Sequence, residues 1–149
     1  MYGDFQCPYC TAAFPIVHRI RDQLAGRLLF AYRHFPLRDI HPDAERAAEA
    51  SEAAAAQGAF WQMHDRMYES RGALGHEDLI HYAVELGLDT ERFTEELGSG
   101  VHAPRVQRDL DSGLASGVMG TPGFFVGGRF HTGSFDAQSL QAALEATAQ

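Results

Sequence analysis

Apolar residues recur along this chain with two different periods. Phe14, Val17, Ile20 and Leu24 are spaced by three, three and four residues, which is one face of a helix. Pro8 suits the first helical position, where a missing N–H is no loss, so the helix is expected to start beside Cys7. Pro15 lies inside the run and predicts a kink, and Gly26 predicts its end. The uninterrupted run Leu28 to Tyr32 reads as a buried strand. Before the helix, Met1–Gln6 carries Tyr2 and Phe5 and reads as the end of a strand. The first thirty-five residues thus read strand–helix–strand, about the length of one βαβ unit.

The middle has helical spacing throughout. Asp43–Gln57 is rich in Ala and Glu, with Asp43 as the expected cap and one face expected in solvent. Gly58 interrupts it. Phe60, Met63 and Met67 continue an apolar face, expected to be core together with Trp61. Leu79, Ile80, Ala83, Val84 and Leu86 form the next helix, stopped by Gly87. Thr90 is the expected cap of a helix carrying Phe93 and Leu97, and Val106, Leu110 and Leu114 line a further one.

The last part changes character. Gly120-Thr121-Pro122-Gly123 is a breaker. Phe124-Phe125-Val126, Gly127-Gly128 and Arg129-Phe130-His131 read as a hairpin with a two-residue loop, His131 facing solvent. Asp136 is the expected cap of a final helix holding Leu140 and Leu144. The order β-α-β, a helical block, then β-β-α predicts an α/β fold, a mixed sheet with helices on its faces.

Composition narrows the function. Twelve basic against twenty acidic residues give a formal charge of −8, so a nucleic-acid-binding role is not expected. No uncharged stretch reaches the ~20 apolar residues of a membrane span, so no membrane insertion is expected. No signal peptide is visible, which favours the cytoplasm; a chain whose leader has been removed would instead belong to the cell envelope.

Only two cysteines are present, Cys7 and Cys10. They exclude a disulfide scaffold and any site needing four thiolates. A C-x-x-C where a strand meets a helix, beside a βαβ pattern, reads as a redox site. The helix N-terminus favours the Cys7 thiolate, and Cys10 lies one turn on, within reach of the Cys7 sulfur. Pro8 and Tyr9 between them offer no carboxylate to oppose the thiolate. Two blander readings are an incidental pair of buried thiols and half of a zinc site completed by His76 and His81; the gap from Cys10 to His76 far exceeds the roughly 12–15 residues of a zinc finger. Asp4 is expected to hold backbone N–H groups at the strand–helix junction, with a proton-transfer role for Cys10 as the alternative. His41 is expected to be a loop residue.

The segment Asp4-Phe5-Gln6-Cys7-Pro8-Tyr9-Cys10 resembles the active-site signature of DsbA-like thiol–disulfide oxidoreductases of the thioredoxin superfamily. Gly120 through Gly128 resembles their cis-proline loop, Pro15 their helix-kinking proline, and His41–Ala44 through Gly58–His64 their helical insertion. The likeness extends to the thioredoxin-like domain fused to some bacterial sodium/proton antiporters and to its free-standing relatives. It implies a single thioredoxin-like domain over residues 1–149, with a helical insertion at about 41–117. It implies Cys7 as nucleophile, Cys10 as resolving thiol, Pro8 and Tyr9 as residues tuning the potential, and a cis Thr121–Pro122 bond whose loop faces substrate. It implies no metal and no cofactor. The expected partners are protein or peptide thiols and disulfides, and a redox partner that recycles the pair, with the oxidase direction favoured. A cytoplasmic reductase, or a non-enzymatic redox-sensing module regulating a membrane transporter, are the alternatives. Two positions depart from the pattern. Gly123 stands where relatives often carry Thr, and the strand before Cys7 is only a few residues long.

Overall fold

Three of the four strands depend on a central one that is two residues long. The computed structural model describes residues 1–148. In it β1 (Tyr2–Gly3) pairs in parallel with β2 (Arg33–His34), Tyr2 opposite Arg33. On its other side Tyr2 forms an antiparallel bridge with Gly123, through N–H···O bonds of 2.7 and 2.9 Å. Gly123 leads into β3 (Phe125–Val126), which pairs with β4 (Arg129–Phe130) around Gly127-Gly128. The result is a mixed arrangement in the order β2-β1-β3-β4, its two halves joined at one bridge.

Helix α1 (Pro8–Gln23) connects β1 to β2 and continues through Pro15. Its buried face is Cys10, Ala13, Val17 and Ile20. The last three pack with Phe124 and with Leu140 of α7 (Ala137–Thr147), whose cap Asp136 accepts the Ser139 N–H. The five helices α2 (Ala44–Ala55), α3 (Phe60–Glu69), α4 (His76–Glu85), α5 (Thr90–Ser99) and α6 (Ala103–Ala115) lie between β2 and β3 in the chain. They enclose Met63, Met67, Tyr68, Leu79 and Phe93 around Phe5 and Tyr32. The Tyr32 and Tyr68 hydroxyls meet at 2.8 Å, so neither buried hydroxyl is left without a partner.

Several expectations are corrected. Leu28–Tyr32 is not a buried strand: β2 lies at Arg33–His34, and Leu29 is 95% exposed. Ladder pairing with β1 begins only at Arg33, and within the preceding run Met1 N–H bonds the Ala31 carbonyl at 2.8 Å. Leu28–Ala31 and Phe125–Gly127 instead line an apolar groove of about 450 Å³, with α1 and α7 side chains and neither cysteine in its lining. The solvent face expected of α2 is present but narrow, with Arg46 exposed and Glu45, Glu49 and Glu52 partly so. Ala44, Ala47, Ala48, Ala50, Ser51, Ala53 and Ala54 are all buried, because small side chains let neighbouring helices approach on more than one face. Asp43 stands at its N-cap without a side-chain cap bond, and the cap of α5 is Asp89, which accepts the Arg92 N–H, rather than Thr90. His131 is half-buried and bonds the Ser134 carbonyl through Nε2 at 2.8 Å.

The close approach of α6 to the short sheet depends on Gly113. A Cβ there would stand 2.6 Å from the Phe35 ring and 3.1 Å from the Tyr2 ring. Gly113→Ala is therefore expected to lower unfolding stability by about 1–3 kcal/mol, as overpacking does, read as a reduced urea midpoint. An unchanged midpoint would show that α6 is free to shift.

Candidate active site

The site begins where β1 ends. The chain turns at Asp4–Gln6, and Cys7 takes the N-cap position of α1 in an extended conformation, with Pro8 in the first turn. Cys7 makes no side-chain cap bond, so the amides of the first turn remain directed at its sulfur. Cys10 follows one turn later on the buried face. Both are thiols, 2% and 0% exposed, whereas Tyr9 is 65% exposed and marks the mouth of the site.

The loop before β3 closes the site from the other side. The Thr121–Pro122 peptide is cis. The Cys7 thiol donates to the Thr121 carbonyl at 3.6 Å, so the two segments that the sequence singled out meet across 114 residues. Among the described residues the Thr121 N–H has no hydrogen-bond partner. Its hydroxyl is enclosed without a partner at full hydrogen-bond geometry, close enough to favour the thiolates of Cys7 and Cys10. Beside Thr121, Met119 is 95% exposed. A shallow groove of about 700 Å³ leaves the site at Gln6 and Pro8 and runs along Thr11, Phe14 and Pro15 to Arg71.

The two thiols are driven apart electrostatically. The Cys10 hydrogen bond holds Cys7 down to about 5; burial opposes this, while Thr121 and the first-turn amides assist. Burial pushes Cys10 far up, and the neighbouring Cys7 adds to the rise. Near neutral pH the pair is therefore one thiolate and one thiol, and Cys7 is both the stronger nucleophile and the better leaving group.

The carboxylate of Asp4 organises the turn beneath them. It accepts the N–H of Gln6 at 2.7 Å, of Cys7 at 3.1 Å and of Leu37 at 2.9 Å. This is the junction role the sequence suggested. The fourth donor was missed: His41 Nδ1 lies 2.8 Å from Asp4 Oδ2. Gln6 and Asp43 also bond each other reciprocally, through Asp43 N–H to Gln6 Oε1 at 2.8 Å and Gln6 Nε2 to Asp43 Oδ2 at 3.4 Å. The signal available in sequence was the pairing of Asp4 and Gln6 beside the cysteines with His41 and Asp43 around one proline. The alternation that fixes who faces whom was not visible.

Residues 1–146 match the family model described as thioredoxin. The chain is 47% identical over 143 residues to the Na+/H+ antiporter NhaA 1 of Salinispora arenicola, a match covering 96% of this chain and 22% of that protein. It therefore spans about a fifth of that relative's length. Among solved structures it is similar to a thioredoxin-like oxidoreductase from Silicibacter pomeroyi, with TM-score 0.86, 25% identity and coverage of 99% and 83% of the two chains. It superposes equally well on oxidised BdbD from Bacillus subtilis, at TM-score 0.86, 20% identity and coverage of 98% and 84%. The fold is thioredoxin-like, reduced to short strands and carrying a large helical complement.

Proposed function

From a chain that belongs to the thioredoxin family, we propose a protein thiol–disulfide oxidoreductase working in the oxidising direction through Cys7 and Cys10. The observation that carries it is the meeting of Cys7, at the N-terminus of α1, with the Thr121 carbonyl of the cis-proline loop. In the disulfide form a substrate thiolate attacks Cys7 Sγ. The Cys7–Cys10 bond breaks, and Cys10 leaves as a thiolate and takes a proton. A second substrate thiolate then attacks the substrate sulfur of the mixed disulfide, and Cys7 leaves as a thiolate. The substrate gains one disulfide and the protein becomes the dithiol. The low pKa of Cys7 favours this direction, because a stabilised thiolate stabilises the reduced protein and makes its disulfide oxidising.

Pro8 and Tyr9 shape the first turn and the mouth, and the open Thr121 N–H offers an extended peptide one main-chain rung. The substrates are protein or peptide thiols, and a separate thiol–disulfide partner re-forms the Cys7–Cys10 bond. No metal or cofactor enters these steps. The oxidised protein mixed with a dithiol peptide is expected to make one peptide disulfide per chain and end as the dithiol. A peptide left reduced by the oxidised chain would contradict the oxidising direction.

One observation favours a second reading, a redox-sensing module joined to a transporter: a relative 47% identical to this chain is an antiporter of which the chain matches 22%. Catalytic turnover with dithiol and oxidant both in excess separates the two, since a sensor needs only one cycle.

A further inference from the structure

We propose that His41 is a positioning residue of the Cys7–Cys10 couple, acting through the Asp4 carboxylate to which it hydrogen-bonds. The inference deepens the exchange reading above and rests on it.

Asp4 is the residue that both cysteines share. Its carbonyl and its Oδ1 both accept the Cys7 N–H, each at 3.1 Å, and its main-chain amide favours the Cys10 thiolate. Its side chain is wholly enclosed. An enclosed carboxylate persists only with a full set of donors. Three of the four here are main-chain amides fixed by the fold: those of Gln6, Cys7 and Leu37. His41 is the only side-chain donor and the only one able to carry positive charge. With Nδ1 on a carboxylate oxygen, that nitrogen carries the proton.

His41 is itself held in place. Its main-chain N–H donates to the Leu37 carbonyl at 2.8 Å, while the Leu37 N–H sits on Asp4, so residues 37–41 form a closed turn around the carboxylate. The Gln6–Asp43 pair fastens the other end of this loop to the active-site turn. The His41 side chain is 15% exposed against none for Asp4, so His41 stands on the solvent side of the pair. The uncompensated charge of Asp4 would oppose the Cys7 thiolate nearby, and a slack carboxylate would release the Cys7 amide. His41 limits both effects.

The test is the Cys7 pKa, followed by thiolate absorbance, together with the equilibrium of the couple with glutathione, in the parent chain, His41→Ala, His41→Gln and Asp4→Asn. His41→Ala is expected to raise the Cys7 pKa by on the order of one unit. It is expected to shift the glutathione equilibrium toward the disulfide by on the order of tenfold, the equivalent of one unit. His41→Gln, which keeps a donor, is expected to recover part of both and guards against a fold defect in the alanine variant. In the Asp4→Asn background His41→Ala is expected to change neither. Folded His41 variants with unmoved pKa and equilibrium would overturn the assignment, and so would an equal effect in the Asp4→Asn background. A parent chain that forms no Cys7–Cys10 disulfide with glutathione would overturn the exchange reading itself, which separates the two failures.

Discussion

Cys7→Ser is expected to abolish disulfide exchange, while Cys10→Ser is expected to accumulate long-lived mixed disulfides. The asymmetry follows from position. Cys7 is at the N-terminus of α1, against Thr121 and next to the exposed Tyr9, so although only 2% exposed it is the thiol at the mouth of the site. Cys10 is enclosed on the core face of the same helix, 0% exposed, and only Cys7 can meet it. Serine at position 7 cannot form a disulfide, so turnover should fall below detection. Serine at position 10 still lets the Cys7 thiolate attack a partner's disulfide, which breaks that bond, joins one partner sulfur to Cys7 and frees the other as a thiolate; it removes the thiol that would then release the partner. Non-reducing mass spectrometry after incubation of the reduced chains with a disulfide-containing protein checks both. Retained turnover in Cys7→Ser would sink the assignment of the nucleophile.

Alkylation of the reduced chain is expected to follow a single ionisation near pH 5, the value to which Cys10 and the surrounding donors bring Cys7. An ordinary thiol, with pKa about 8.5, has only about one hundredth of its thiolate at pH 6.5, so Cys7 should react roughly a hundredfold faster there than an unperturbed one of equal nucleophilicity. Cys10→Ala removes the largest cause and is expected to move the midpoint upward by more than about a unit. The sign for stability follows from the same depression. The folded value lies below the unfolded one, so the stabilisation of the reduced chain is complete above about pH 8.5 and is lost as pH falls through about 5. The thermal midpoint of the reduced form should rise relative to the disulfide form across that interval. A midpoint of alkylation near 8.5 would contradict the electrostatic picture of the site.

The pieces of this molecule that carry their own local signal were legible in the sequence. The spacing of Phe14, Val17, Ile20 and Leu24, the Asp136 cap and the Gly127-Gly128 turn each encode an element through neighbouring residues, and each element is present. The redox pair was legible for the same reason, since three positions on a helix N-terminus bring Cys7 and Cys10 together. What failed depended on distant partners. Leu28–Tyr32 has the composition of a buried strand, but the ladder partners that would make it one lie elsewhere in the chain, and pairing with β1 begins only at Arg33. The solvated face of α2 was legible, but the burial of its alanines on the remaining faces depends on neighbouring helices that its own sequence does not show. His41 looked like an isolated loop residue because its partner, Asp4, lies 37 positions away.

The most direct test is the potential of the Cys7–Cys10 couple. The wild-type chain is equilibrated in glutathione buffers of graded ratio, and its disulfide fraction is read by mass after acid quenching and alkylation. The account predicts one two-electron transition between the dithiol and a Cys7–Cys10 disulfide, at a potential above about −200 mV. A transition near about −270 mV, where a reductase sits, would contradict the oxidising direction. The absence of any intramolecular disulfide across the series would contradict the exchange chemistry as a whole.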